Sequence, residues 1–268
     1  MGIDFIILYI IVFIFGAVFG SFACCQAWRI HESKSGKSLG SRSVCMHCNE
    51  KLKWYDNIPV ISWLMLRGKC RFCKEKIGVA EILSEISLGL VFVGVVAKYA
   101  SAFPTVSEFL SADFITVILH MAIFLIALIP FWITLIYDAK WGELPVFIMI
   151  IETIIAIIFQ ITSPRVDWFQ VFISSGLLAG LYYLLYFFSK EKLVGGGDWI
   201  LCLSIGIFLG RWEFIVLELF FSNLAASIAG IPQIVKKDKK PIPFGPFLIL
   251  AMLLILLIEG YITKFLVI

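Results

Sequence analysis

The chain has 268 residues, of which 61% are hydrophobic and only 15% charged. Its apolar residues come in blocks too long for a soluble core, so the composition excludes an ordinary soluble globular protein and indicates a polytopic membrane protein. A net charge of +3 is too small to imply nucleic acid as a partner, and the basic residues read instead as topology signals and a surface for anionic lipid.

With roughly 20 apolar residues required per span, the predicted spans are about 5–27, 79–97, 114–136, 144–162, 168–188, 198–210, 212–231 and 244–266. The predicted fold is therefore an all-α polytopic membrane protein of about eight transmembrane helices, the sixth of them short. Three parts follow: residues 1–27 as the first transmembrane helix, 28–78 as a soluble loop, and 79–268 as a transmembrane catalytic bundle. The amino-terminal run has no basic region ahead of it and no small-residue cleavage signal behind it, so it reads as a retained anchor. There is no internal repeat and no low-complexity segment.

The loop carries Cys45-Met46-His47-Cys48 and Cys70-Arg71-Phe72-Cys73, two Cys-x-x-Cys pairs with 21 residues between them. Each pair can offer two thiolates to one ion through a tight turn, and together they complete a tetrahedral shell for zinc. In a reducing compartment disulfides are disfavoured, and a loop this small with little apolar content needs a metal to hold its fold. Four cysteines leave no open coordination position, so the zinc is expected to be structural and catalysis to lie elsewhere. His47, inside the first pair, reads as an exposed loop residue, and Cys24, Cys25 and Cys202 as small packing residues of apolar segments.

Of the 22 Lys and Arg residues, all but Lys98, Arg165, Arg211 and Lys264 fall in the segments before the second, fourth, sixth and eighth spans. By the positive-inside rule that side is cytoplasmic and both termini face outside, an alternation eight spans satisfy and seven do not. The Lys236–Lys240 run reads as a topology anchor.

Two acids then stand out. Asp138 follows the third apolar run, Asp198 closes Val194-Gly195-Gly196-Gly197-Asp198 ahead of the sixth, and the topology puts both on the cytoplasmic face. An ionisable side chain at the lip of a membrane helix marks a functional site by default. Two neighbouring carboxyls do not both ionise easily, so one keeps a proton while the other draws a proton from water. Such a pair hydrolyses an amide without a serine or cysteine nucleophile. Gly195, Gly196 and Gly197 would let a substrate strand approach the backbone, and Pro145 suits the first turn of the fourth span. The competing reading makes both acids interfacial, with Asp198 a helix cap. Glu81 and Glu85 share one face of the second span, where they would either bind a substrate's positive charge or a cofactor amine, or pair with headgroups and loop lysines. Glu152 and Glu218 lie deeper and read as polar contacts within the bundle.

The ordered set of motifs resembles the type IV prepilin peptidases. It comprises Gly20-Ser21-Phe22 and Arg29, the cysteine pairs flanking Asp56-Asn57-Ile58-Pro59 and Leu66-Arg67-Gly68-Lys69-Cys70-Arg71, then Glu81, Asp138 with Leu144-Pro145, the Gly-x-Gly-Asp element ending at Asp198, and Pro243-Phe244-Gly245-Pro246-Phe247. The resemblance implies an integral-membrane aspartyl protease of a bacterial inner membrane, with Asp138 and Asp198 as its dyad, cutting the basic leader from prepilins or pseudopilins at the cytoplasmic face. It also implies a second activity in many members, methylation of the new amino terminus with S-adenosylmethionine. Two positions depart from the family pattern: Val146, where Asp or Asn is usual, and Ile200, where Lys is usual. The alternatives are a zinc-loop methyltransferase whose acids are structural and, from intramembrane acids and broken helices, a transporter, against which the absence of repeated halves counts.

Overall fold

A computed structural model describes residues 3–34, 43–45, 47–101, 103, 105–110, 114–163, 166–190, 194–236 and 242–265. Of the residues used for the topology reading, Lys37, Arg42, Arg165, Lys192, Lys237, Lys239 and Lys240 lie outside these. The described chain is helical, with two isolated β-bridges and no longer strand among the described residues. It divides into two compact units, Met1–Ala112 and Asp113–Ile268.

In the first unit, α1 (Ile3–Lys34) is followed by the cysteine-bearing loop with its short helix α2 (Ile61–Met65), then α3 (Val79–Ala100) and the short α4 (Val106–Leu110). The helices α1 and α3 pack closely because Gly16-Ala17-Val18-Phe19-Gly20 removes side chains from the contact. A Cβ at Gly16 would meet Gly89 Cα at 2.8 Å, and one at Gly20 would meet Ser84 O at 2.6 Å. Ser84 Oγ donates to the Gly20 carbonyl at 3.0 Å. In hydrocarbon, where lipid tails compete for apolar contacts, close backbone approach and a hydrogen bond from a small polar residue hold helices together.

The second unit begins with a π-helical turn, Phe114–Leu119, that runs into α5 (His120–Trp141). It continues through α6 (Val146–Ile161), α7 (Trp168–Ser189), α8 (Asp198–Leu209), α9 (Trp212–Lys236) and α10 (Gly245–Phe265). Among the described residues, five helices are long and apolar enough to cross a membrane, namely α1, α3, α5, α7 and α9, while α6, α8 and the apolar part of α10 are shorter.

The shortest of these is α8, with 12 residues, or about 18 Å at 1.5 Å per residue. Its backbone must find partners inside the protein, since lipid offers none. Gln160 Nε2 of α6 supplies them at one end, donating to the Ile207 and Phe208 carbonyls at 2.7 and 3.1 Å. Along its length Ser174 Oγ of α7 donates to Gly206 O at 2.8 Å, and Ser204 Oγ lies 2.7 Å from Thr153 Oγ1 of α6. Phe208 stacks on Phe159 at 4.3 Å and meets Phe124 and Phe131 edge-on. The helix that opens with Asp198 is thereby held on two sides.

Candidate active site and metal centre

Within the second unit, Asp138 occupies the last turn of α5. That helix ends at Gly142, which takes the left-handed conformation (φ 66°) and returns its N–H to the Asp138 carbonyl at 2.8 Å. Both are common features of a helix C-terminus. Asp198 is the first residue of α8, after a turn at Gly196 and Gly197. Both acids are buried, 5% and 7% exposed.

Each carboxyl is held by one glycine N–H. Gly245 N, at the start of α10, donates to Asp138 Oδ2 at 2.8 Å, and Gly195 N donates to Asp198 Oδ2 at 2.8 Å. In neither case does the donor belong to the helix that carries the acid. The side chain thus tethers α5 to α10 at one acid and folds the glycine turn back onto α8 at the other. Gly245 has no room for a side chain, since a Cβ there would lie 2.8 Å from Asp138 Oδ2. A backbone N–H aimed at a carboxyl oxygen fixes its orientation without introducing a competing charge, which suits a pair that must exchange a proton with water.

Gly195, Gly196 and Gly197 lead into α8 through a turn, and two of them are closely approached by side chains of this chain. A Cβ on Gly197 would meet Leu144 Cβ at 2.8 Å, and one on Gly196 would meet the Tyr186 ring at 3.4 Å. Pro145 caps α6, its carbonyl accepting from Ile148 N at 2.9 Å. Tyr182 is buried beside Phe244, with ring centroids 5.8 Å apart. Glu152 is fully buried and accepts from Thr134 Oγ1. Glu218 is also fully buried, with neither carboxyl oxygen hydrogen-bonded. Neither Gly245 nor Tyr182 was assigned a part by residue-type reasoning. The Pro243–Phe247 motif was the available signal for the first, and nothing in the sequence marked the second.

The cysteines lie in the first unit. Cys45, Cys48, Cys70 and Cys73 bring their four Sγ atoms within 4.8 Å of one another. The two pairs are built alike: Cys45 N bonds Glu50 O and Asn49 N bonds Cys45 O, while Cys70 N bonds Glu75 O and Lys74 N bonds Cys70 O. Asn49 (φ 56°) and Lys74 (φ 61°) each take the left-handed conformation right after the second cysteine of their pair. A single antiparallel bridge closes each turn, Val44 with Lys51 and Lys69 with Lys76.

Cys45 Sγ and Cys73 Sγ stand 3.8 Å apart, far beyond the roughly 2.05 Å of a disulfide. The separation matches the tetrahedral edge expected from Zn–S distances of about 2.3 Å. The donor set therefore fits a zinc ion. The Cys70 thiol is drawn down to about 7, first by the Cys73 N–H, against the opposing effect of burial, and then by the Phe72 N–H. A thiol with thiolate character near neutral pH is what a metal ligand requires.

Between the cysteine turns and α3 lies a cleft of about 220 Å³, lined among others by Asp56, Trp63, Arg71, Glu81 and Glu85. Glu85 is 8% exposed, and its Oε2 accepts the Val60 N–H at 2.7 Å. Arg71 binds Asp56 Oδ1 through both Nε and Nη2, at 2.8 and 2.7 Å. Glu81 and Glu85 thus share a site with the cysteines, in the unit that does not carry Asp138 and Asp198. His47 is exposed at its turn and reaches the same cleft.

Residues 14–99 match the model of the Bacterial Peptidase A24 N-terminal domain. The chain is also 31% identical over 232 residues to the prepilin leader peptidase/N-methyltransferase of Aeromonas hydrophila, covering 83% of this chain and 73% of that protein. The chain belongs to the prepilin leader peptidase/N-methyltransferase family. The Aeromonas salmonicida protein of that name is 30% identical over the same shares, and the Vibrio cholerae one 27% identical over 80% of each chain. No solved structure matches. For a member of this family, the first unit holds the matched amino-terminal domain, cysteines included, and the second unit holds both candidate acids.

Proposed function

We propose that this chain is a membrane-embedded aspartyl endopeptidase that removes a short basic leader from prepilins or pseudopilins at the cytoplasmic face of a bacterial inner membrane. The observation that carries this reading is the pair of buried carboxyls, Asp138 and Asp198, each fixed by a glycine N–H within one unit. In the reaction the anionic acid takes a proton from water, and the water oxygen attacks the scissile carbonyl. The protonated acid donates to the carbonyl oxygen, and the tetrahedral intermediate collapses as the leaving amine gains a proton. Gly195, Gly196 and Gly197 supply the low-profile backbone past which the substrate strand reaches the acids.

The names of the relatives include N-methyltransferase, and a second reading adds that activity. It places methyl transfer from S-adenosylmethionine to the new amino terminus in the first unit, with structural zinc at Cys45, Cys48, Cys70 and Cys73 holding the loop. Glu81 and Glu85 are then candidates for the substrate amine or for the amine of the methyl donor. Membrane lipid completes the set of partners, with no nucleic acid among them.

The test is product mapping. Purified protein in lipid is given a prepilin-like substrate with a basic leader and an apolar helix, and the products are read by mass spectrometry. A single cut between leader and helix is the expected result, with a further mass gain of one methyl on the mature fragment when S-adenosylmethionine is supplied. An intact substrate left uncut, while a pre-cleaved mature fragment is methylated, would favour the methyltransferase-only alternative.

A further inference from the structure

Leu144 lies in the short connection between Asp138's helix α5 and α6. Its place there is fixed from both sides. Gly142 caps α5 in the left-handed conformation and bonds back to the Asp138 carbonyl, and Pro145 caps α6 in an extended conformation (φ −81°, ψ 93°). A residue directly ahead of proline is itself restricted to extended backbone. The Leu144 side chain is thus tied to the helix that bears Asp138.

The side chain touches two other backbone segments, one with each δ-methyl. A Cβ on Gly197 would lie 2.8 Å from Leu144 Cβ and 3.0 Å from Cδ1, and a Cβ on Gly245 would lie 3.3 Å from Leu144 Cδ2. Gly197 immediately precedes Asp198, in the turn whose Gly195 N–H binds that acid. Gly245 is the residue whose N–H binds Asp138. One leucine therefore fills the space between the glycine that directly precedes Asp198 and the glycine whose N–H binds Asp138.

From this contact, and on the reading of Asp138 and Asp198 as a dyad, we infer that Leu144 is a positioning residue that sets the spacing of the two acids. Close-packed atoms transmit displacement, so the position of the glycine turn relative to α10 is fixed by the width of this side chain. Glycine at 197 and 245 leaves room for the leucine, and the leucine keeps the two segments from closing on each other. An aspartyl pair needs such a spacer, because both carboxyls must reach one water molecule, and a misplacement of about 1 Å costs on the order of 10²-fold in rate.

The test compares Leu144→Ala and Leu144→Met with the wild-type protein in lipid, measuring kcat and KM for leader cleavage, thermal stability and bound zinc. For Leu144→Ala, kcat should fall by about 10- to 100-fold while KM stays within about twofold, since the acids move and the substrate contacts do not. Leu144→Met, which keeps the volume, should restore kcat to within about fivefold of wild type. A Leu144→Ala variant with wild-type kcat would overturn the inference, as would one whose KM rises with kcat unchanged, which would make Leu144 a substrate contact. Equal loss in both variants together with lowered thermal stability would make it a plain packing residue and overturn it too. If Asp138→Asn cleaves normally the dyad reading itself has failed, whereas normal cleavage by Leu144→Ala beside an inert Asp138→Asn removes only the spacer.

Discussion

Replacing Asp138 or Asp198 with Asn is expected to slow leader cleavage by on the order of 10²–10⁴-fold each, with thermal stability and zinc content unchanged. Asn keeps an oxygen where Oδ2 accepts from Gly245 or Gly195, so the fold around each position is preserved. What is lost is the ability to give or take a proton. The two effects should not add: one acid cannot activate water and protonate the carbonyl at once, so the double variant should be about as slow as either single one. Glu in place of Asp should rescue little, because its extra methylene moves the carboxyl by more than a hydrogen bond tolerates. A continuous fluorogenic leader assay on all four proteins decides the matter. Cleavage within tenfold of wild type in either Asn variant would remove the aspartyl mechanism.

The second large effect concerns the cysteines. Cys70→Ser should abolish zinc binding and loosen the loop, because it removes the one buried thiol, 4% exposed, of the four-sulfur cluster that fits zinc. In a small metal site the binding free energy is largely the folding free energy, about 10–16 kcal/mol for zinc-finger peptides. Methyl transfer should fall with the zinc, since the cysteine turns line the cleft that would hold its substrates. Leader cleavage should change by less than tenfold, since both acids and both glycine donors belong to the other unit. Metal analysis together with separate assays of the two products checks this. A cleavage loss as large as the methylation loss would show that the two activities depend on one folded entity.

Much of this architecture is legible in the sequence because membrane helices announce themselves by composition. The third predicted helix boundary shows the limit. Hydropathy ends that span at about 136, yet α5 continues to Trp141 and stops at Gly142, so Asp138 sits inside the last helical turn. In the same way α1 runs on through Arg29 to Lys34, since a helix that leaves the membrane need not end there. The cysteine spacing foretold that the four sulfurs would gather, because each Cys-x-x-Cys turn is local. The contact of α1 with α3 had a signal in Gly16-x-x-x-Gly20, a small-residue pattern that hydropathy reading passes over. The donors that orient the acids stand in visible motifs, the glycine run before Asp198 and Pro243–Phe247, but which carboxyl each one binds is not written there. Gly245 lies 107 positions from the carboxyl it binds, and the bond from Val60 N–H to Glu85 depends on a valine at φ 62°, a conformation no residue type there foretells. Long-range pairing of backbone groups is a product of packing, and composition carries little of it.

On the proposed mechanism, Asp138 and Asp198 direct water straight onto the peptide bond, with no covalent enzyme intermediate. The most direct test of that mechanism is cleavage by the wild-type protein in ¹⁸O-enriched water containing hydroxylamine, followed by mass analysis of the released leader. The expected product is a leader carrying one ¹⁸O in its new carboxylate, with no hydroxamate at any hydroxylamine concentration. A leader hydroxamate that grows with hydroxylamine would reveal an acyl-enzyme on a serine or cysteine and contradict the mechanism.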